Sequence, residues 1–212
     1  MLSRFEMLFN ILGYYLLFII ALIFMRRRTK LPKGSILVKK TPTSRDKQAP
    51  GNRWSQLSLA FGNGFLIGVE MYILILTIFD AWKPEFSFST INFPIFINWA
   101  GIIGRWLSIC WEASVFYYNV NYTVFWKPIQ DEYVLATGGP YKYIRHPMYV
   151  NKMIIYFFLF AATGSWFIFI GLLGFLPVLY QAKQEEALMR ETFGNIYEDY
   201  MSRTGRFLPK LN

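Results

Sequence analysis

Three long apolar runs, at residues 5–25, 57–79 and 95–118, constrain this chain more than any other feature. Each matches the ~20 residues that a helix needs to cross a hydrocarbon core of roughly 30 Å. In lipid, every backbone N–H and C=O must be satisfied within the segment, so such runs fold as helices. A fourth apolar block, 153–180, is broken at 163–166 by Thr-Gly-Ser-Trp. It is too long for one span and tight for two. The turn chemistry of Gly164 and Ser165 predicts a helical hairpin with short arms. The expectation is an all-α integral membrane protein with about five transmembrane helices, a C-terminal helical hairpin and a tail helix. Residues 1–212 read as one domain. The first run is read as a mature span and not a cleaved signal. Arg4 is offset by Glu6, and Arg-Arg-Arg-Thr-Lys follows where small residues would mark a cleavage site.

Lys and Arg concentrate in 26–53, leave only Lys83 in 80–94, and return in 119–152 and beyond Tyr180. Under the positive-inside rule this alternation predicts an N-terminus outside and a cytoplasmic tail. The polar stretches 138–149 and 182–200 then lie on one side and flank the same hairpin, whose base brings them together. The net charge of +9 suits an anionic inner leaflet and requires no nucleic acid. The expected partners are the bilayer and a small amphipathic substrate. One cysteine, Cys110, and one histidine, His146, make neither an internal disulfide nor a zinc site, so no metal is expected.

Three ionisable residues fall inside the spans: Glu70, Arg105 and Glu112. Such residues are costly in lipid and are read as functional or paired. Glu70 and Arg105 fall at similar depth on successive helices, which predicts an ion pair. Glu112 is seven residues after Arg105, on the same helix face and ~10 Å nearer the cytoplasm. It either lines an active cavity, partners Arg105 or sits at a helix interface. The spacing of Gly64 and Gly68 predicts close helix packing.

The stretch Gly-Gly-Pro-Tyr-Lys-Tyr-Ile-Arg-His-Pro-Met-Tyr, at 138–149, holds the lone histidine. Pro147 bars His146 from helical geometry, so the next helix starts at about Pro147. Arg145 and His146 therefore sit just before a helix N-terminus, which favours an anionic group. An interfacial belt of Tyr, Arg and Lys is the plainer reading of the same residues. Glu185 and Glu186 come at the C-terminal end of a span, where the helix dipole disfavours anions, so a cationic partner is expected. Gly194 reads as a helix C-cap. Tyr197, Tyr200 and Phe207 read as amphipathic material for the membrane interface.

The 138–149 motif, followed by a hairpin and then by Glu-Glu-Ala-Leu at 185–188 and Phe-Gly-Asn-Ile-Tyr-Glu-Asp-Tyr at 193–200, resembles the isoprenylcysteine carboxyl methyltransferase family. That family shares a superfamily with the phospholipid N-methyltransferases. The resemblance covers 133–209. It implies S-adenosylmethionine as methyl donor, bound at the cytoplasmic membrane face between loop and tail. Carried over by motif position, Tyr133, Val134, Leu135, Ala136, Tyr141, His146, Pro147, Met148 and Tyr149 would line the cofactor site, with Glu185 reaching it from the tail. Two positions depart from the family pattern. Asn151 stands where a glycine is usual. Gln181 stands on the substrate side, where the carboxyl methyltransferases have an arginine. An arginine holds a carboxylate through a bidentate charged pair, which a glutamine does not provide.

Methyl transfer is an in-line displacement that rests on positioning and water exclusion. A carboxylate acceptor needs no base, whereas for an amine or thiol Glu112 or His146 would take the proton. The catalytic candidates are therefore Glu112, His146 and Gln181. The leading expectation is a membrane methyltransferase of a lipid-like or prenylated substrate, the isoprenylcysteine type first and a phospholipid or other lipid-like amine or thiol as alternative. A nicotinamide-dependent sterol-type reductase and a non-catalytic scaffold are the other two readings.

Overall fold

The computed structural model describes residues 2–26, 31–39, 53–79, 91–120 and 132–210. Most of the basic segment 39–53, most of 80–94 and the stretch 121–131 lie outside the described residues, as does the side chain of Tyr133. Six α-helices carry the chain: α1 Arg4–Arg26, α2 Arg53–Ile78, α3 Ile95–Tyr118, α4 Pro147–Thr163, α5 Val178–Phe193 and α6 Asn195–Arg203. Phe5–Ile23, Arg53–Ile78 and Trp166–Phe193 are long and apolar enough to cross a membrane, and α4 is a shorter apolar helix. α3 is as long as these but more polar, with Asn98, Arg105, Ser108 and Glu112 all buried on it. Length and apolarity thus support three crossings directly, not the five expected from the sequence.

The expectation of an all-α chain is corrected by a two-stranded antiparallel sheet. β1, Ser35–Lys39, pairs with β2, Glu132–Ala136, with Ser35 opposite Ala136 and Lys39 opposite Glu132. Both strands are short and rich in branched residues, which fit a pleated surface. Their pairing fixes the segment after α1 and the segment after α3 on the same side of the helices.

The hairpin forms where the sequence places it. α4 ends at Thr163, and Gly164 closes it at φ 72°, a left-handed conformation that glycine adopts without steric cost. The returning arm is a 3-10 helix, Trp166–Phe175, before α5 begins. A Cβ on Gly171 would lie 2.3 Å from the Tyr156 hydroxyl oxygen, and one on Gly174 2.4 Å from the Gly62 backbone, so these glycines let the arm press on α4 and α2. The close packing expected of Gly64 and Gly68 is not found. A Cβ on either would meet nothing within 4 Å, because that row of α2 faces outward. The close approaches belong instead to Gly62 on α2 and to Gly101 and Gly104 on α3, which lie against the hairpin.

Burial concentrates in a cluster of Tyr14, Leu66, Ile109, Ile155, Tyr156, Leu159, Ile168 and Phe175, which joins α1–α4 and the 3-10 arm. Within the helices the expected ion pair is present. Arg105 Nη2 donates to Glu70 Oε1 at 2.5 Å and Nη1 to Asn10 Oδ1 at 2.9 Å. Tyr15 donates to the other Glu70 oxygen at 2.7 Å, and the guanidinium lies 4.4 Å from the Tyr14 ring centre. The second cluster of interest lies in the tail, where Leu135 packs on Phe193, Tyr197 and Tyr200. The sequence assigned these two tyrosines to the membrane interface. They are instead core residues, because β2 supplies an apolar surface for α6 to cover.

Candidate functional site

The loop 138–149 and the chain after α6 are joined backbone to backbone. Ile144 and Gly205 form a parallel bridge: Gly205 N–H donates to Tyr143 O, Arg145 N–H to Gly205 O, and His146 N–H to Arg206 O. Tyr200 adds a hydroxyl bond to the Tyr141 carbonyl at 2.7 Å. Gly205 is required here, since a Cβ would collide with the Leu208 carbonyl. The tail is thus a strap across the loop, and it carries Arg206 to the start of α4.

Two adjacent carboxylates on α5 meet that junction in different ways. Glu186 is buried and surrounded by cations. Arg206 binds it through both oxygens, Nε to Oε1 at 3.0 Å and Nη2 to Oε2 at 2.6 Å, and Arg145 Nε reaches Oε1 at 2.9 Å. Arg145 also donates to the Thr204 carbonyl, so the clamp includes the end of α6. Here are the cationic partners that a carboxylate at this end of a span required. Glu185 retains 21 % side-chain exposure against 2 % for Glu186. It accepts from the Tyr149 hydroxyl at 2.5 Å and from Gln181 Nε2 at 3.2 Å.

His146 lies between the two, Nδ1 3.3 Å from Glu185 Oε2 and Nε2 3.3 Å from Glu186 Oε1. Its ring stacks on Tyr149 and is flanked by Phe207. Burial pulls the imidazole pKa down, but hydrogen bonds and charge from both glutamates outweigh it and hold it above the ordinary histidine value. With a carboxylate oxygen at each nitrogen, this imidazole holds its proton more firmly than a free histidine does.

Gln181 is buried, and both ends of its amide are engaged. Ser55, at the start of α2, donates to Oε1 at 2.8 Å while Nε2 donates to Glu185. The structure therefore brings His146, Tyr149, Gln181 and Glu185 into one cluster at the meeting of α2, α4, α5 and the strap. Val134, Leu135, Ala136 and Tyr141 are buried as well, Leu135 against Phe193, Tyr197 and Tyr200, and Ala136 and Tyr141 against Val115 with Met148 packed on them. Pro147 is the first residue of α4, and its carbonyl accepts from Trp111 Nε1 at 3.0 Å. Glu112 does not join the cluster, and it does not partner Arg105. It binds Lys152 Nζ at 2.8 Å and Asn151 Nδ2 at 3.4 Å, about one turn further along α4. Asn151 thus has a polar partner at the position where a glycine was usual.

Sequence reasoning missed Ser55, Arg206 and Lys152. Ser55 looks like an ordinary helix-start serine, and nothing local signals its reach to α5. Arg206 had a faint signal, as a cation beside glycine in Thr-Gly-Arg-Phe-Leu-Pro.

Residues 96–196 match the family model described as phospholipid methyltransferase. The matched stretch runs from the start of α3 past Gly194 and includes His146, Tyr149, Gln181, Glu185 and Glu186. That family belongs to the superfamily that includes the isoprenylcysteine methyltransferases, so the resemblance read from 133–209 is borne out at that level. The match indicates a membrane methyltransferase. No curated protein matches the chain.

Proposed function

We propose that the protein transfers a methyl group from S-adenosylmethionine to the amine of a lipid-like acceptor, at the cytoplasmic face of a membrane that it crosses five times. The observation that carries the acceptor class is Gln181. Its amide oxygen is taken by Ser55 and its nitrogen by Glu185, and it brings no charge. A substrate carboxylate would find no bidentate cation there. The phospholipid methyltransferase match over residues 96–196 points the same way. The cytoplasmic assignment rests on the basic segments, two of which β1 and β2 tie to one side.

The donor set fits the cofactor. S-adenosylmethionine, when bound, supplies a methyl carbon already activated by a positive sulfur, and it also carries an ammonium and a carboxylate. Glu185 is the accessible anion, held by Tyr149, Gln181 and His146, and it suits a cationic ligand. His146 and the N-terminal end of α4 supply positive potential for a carboxylate. Glu186 binds no ligand in this reading. It locks Arg145 and Arg206 in place and so keeps the strap closed over the loop.

The acceptor nitrogen must be neutral to attack. Burial disfavours the charged form of an amine, so an amine drawn beneath the apolar helices loses its proton more readily than in water. Glu185 and the N-terminal end of α4 would hold the donor, which would supply the methyl carbon to the nitrogen lone pair in exchange for the carbon–sulfur bond, whose pair would stay on sulfur, and the surplus N–H proton would pass to solvent. Positioning and exclusion of water do most of the catalytic work.

The test uses purified protein in detergent, titrated with S-adenosylhomocysteine and with NADPH, then given labelled methyl donor with an amine lipid or a prenylcysteine. Binding of the first ligand only, and transfer to the amine lipid, are expected. Binding of NADPH alone would establish the reductase reading, and binding of neither the scaffold. Efficient transfer to prenylcysteine, unimproved by Gln181→Arg, would show that another group holds a carboxylate and that the acceptor assignment is wrong.

A further inference from the structure

On the outer side of the strap lies a cavity of about 460 Å³ that the methyl-transfer site does not use. It is walled by Thr137, Lys142 and Tyr143 from the loop, Arg203 and Thr204 from the end of α6, and Lys210 from the chain beyond. Three cations thus converge from three separate pieces of chain. Lys142 is exposed and makes no hydrogen bond among the described residues, its ammonium lying 5.8 Å from the Tyr143 ring centre. Lys210 is fixed by bonds to the Met201 and Ser202 carbonyls at 3.0 and 2.7 Å, which leave one of its three N–H groups for a ligand. Arg203 donates to Asp199 at 2.6 Å in a pair so exposed that water screens it. The neighbouring carboxylate, Glu198, is paired with Arg190.

The local surface is therefore positive and concave, and its three cations are the chemistry of a phosphate site. The hydroxyls of Thr137, Tyr200 and Thr204 are already donated to the Gly34, Tyr141 and Tyr200 carbonyls, so the cations supply the contacts. It is also bordered by apolar groups. Leu208, beside the lining residue Pro209, is 76 % exposed, and Tyr143 is 57 % exposed. A soluble phosphate has no use for such a rim, whereas a lipid headgroup arrives with acyl chains that cover it. We infer that this cavity binds the phosphate of an anionic phospholipid. The site adjoins the methyl-transfer cluster through Thr204, whose carbonyl accepts from Arg145. A lipid seated there would press the strap onto the loop.

The experiment compares dioctanoyl phosphatidic acid, dioctanoyl phosphatidylcholine and inorganic phosphate as ligands of the full chain in detergent, by thermal midpoint and by adducts in native mass spectrometry. Phosphatidic acid alone should bind. Lys142→Ala with Arg203→Ala should weaken it by about tenfold, while Lys183→Ala, at an exposed position on α5 outside the cavity, should not. An unchanged thermal midpoint without lipid shows that the double variant is folded. If it does not extract, Lys142→Ala alone carries the same comparison with a smaller loss. Equal phosphatidic acid binding by wild type and variant would overturn the site. Inorganic phosphate competing as well as the lipid would overturn the lipid assignment.

Discussion

Arg206 grips Glu186 through two parallel bonds, one from Nε and one from Nη2, and so fastens the chain after α6 to the middle of α5. The carboxylate is buried, and two other nitrogens, Arg145 Nε and His146 Nε2, depend on its position. Removing its charge would strand Arg145 and His146. Glu186→Gln should therefore cost about 3 kcal/mol of stability, the low end for a broken buried pair because Arg206 is partly exposed. It should also make the strap easier to cleave. Unfolding in detergent and limited proteolysis after residue 203 measure both. Wild-type behaviour in both would mean that the backbone bridge alone holds the strap.

The second expectation concerns α2. Ser55 donates to Gln181, which donates to Glu185, so both residues help to hold that carboxylate. Losing one neutral hydrogen bond costs about 1 kcal/mol, or roughly a fivefold change in affinity. Ser55→Ala should weaken S-adenosylhomocysteine binding by about that factor, Gln181→Leu, which also removes the charge-assisted bond to Glu185, by about tenfold or more, and Ser55→Thr should retain most of it. Titration calorimetry gives the answer. Affinity unchanged in both variants would show that Glu185 needs no help from α2.

Much of this architecture could be read from the residues, and the failures have a common cause. Long apolar runs fixed the helices because lipid leaves the backbone no alternative, and Gly164 and Pro147 marked real boundaries. Depth arithmetic found Glu70 and Arg105 because an isolated charge in a span must seek its opposite. The sheet was missed because β1 and β2 lie nearly a hundred residues apart and each is only five residues long. Tyr197 and Tyr200 were misplaced because amphipathic spacing identifies an apolar face and says nothing about whether lipid or protein covers it. Glu112 illustrates the same limit. Its helix face was right, but its partner Lys152 depends on how α3 and α4 pack.

The Arg105–Glu70 pair is structural and should behave as one unit. Arg105 is wholly buried, and its Nε has no partner among the described residues. Arg105→Leu leaves Glu70 unpaired and should cost about 3–5 kcal/mol, whereas Arg105→Met combined with Glu70→Leu should recover most of the loss. A double-mutant cycle on unfolding in detergent reads the coupling. Additive losses would show that the two residues act separately.

Topology is testable at Lys142, which is exposed at the rim of the anion cavity. In a Cys110→Ala background, Lys142→Cys should react with an impermeant maleimide only after the cytoplasmic side is opened. Labelling of intact cells from outside would invert the orientation and place the methyl-transfer site on the opposite face.

The last expectation is a pH dependence that His146 creates. Its pKa in the folded protein is raised, with the two glutamates overcoming the effect of burial. A histidine raised on folding contributes stability that is fully present below its unfolded value of ~6.5 and is lost as pH rises through the folded value. The groups facing the ring account for that direction: Glu185 and Glu186 on α5 attract the proton, while Tyr149 and Phe207 are uncharged rings that add contact. His146→Gln keeps a hydrogen-bonding side chain and removes the titration. The difference in thermal midpoint between wild type and this variant should be largest at pH 6 and should shrink steadily towards pH 9. A difference that grows with pH would mean that folding lowers the imidazole pKa, and the reading that the two glutamates hold its proton would fail.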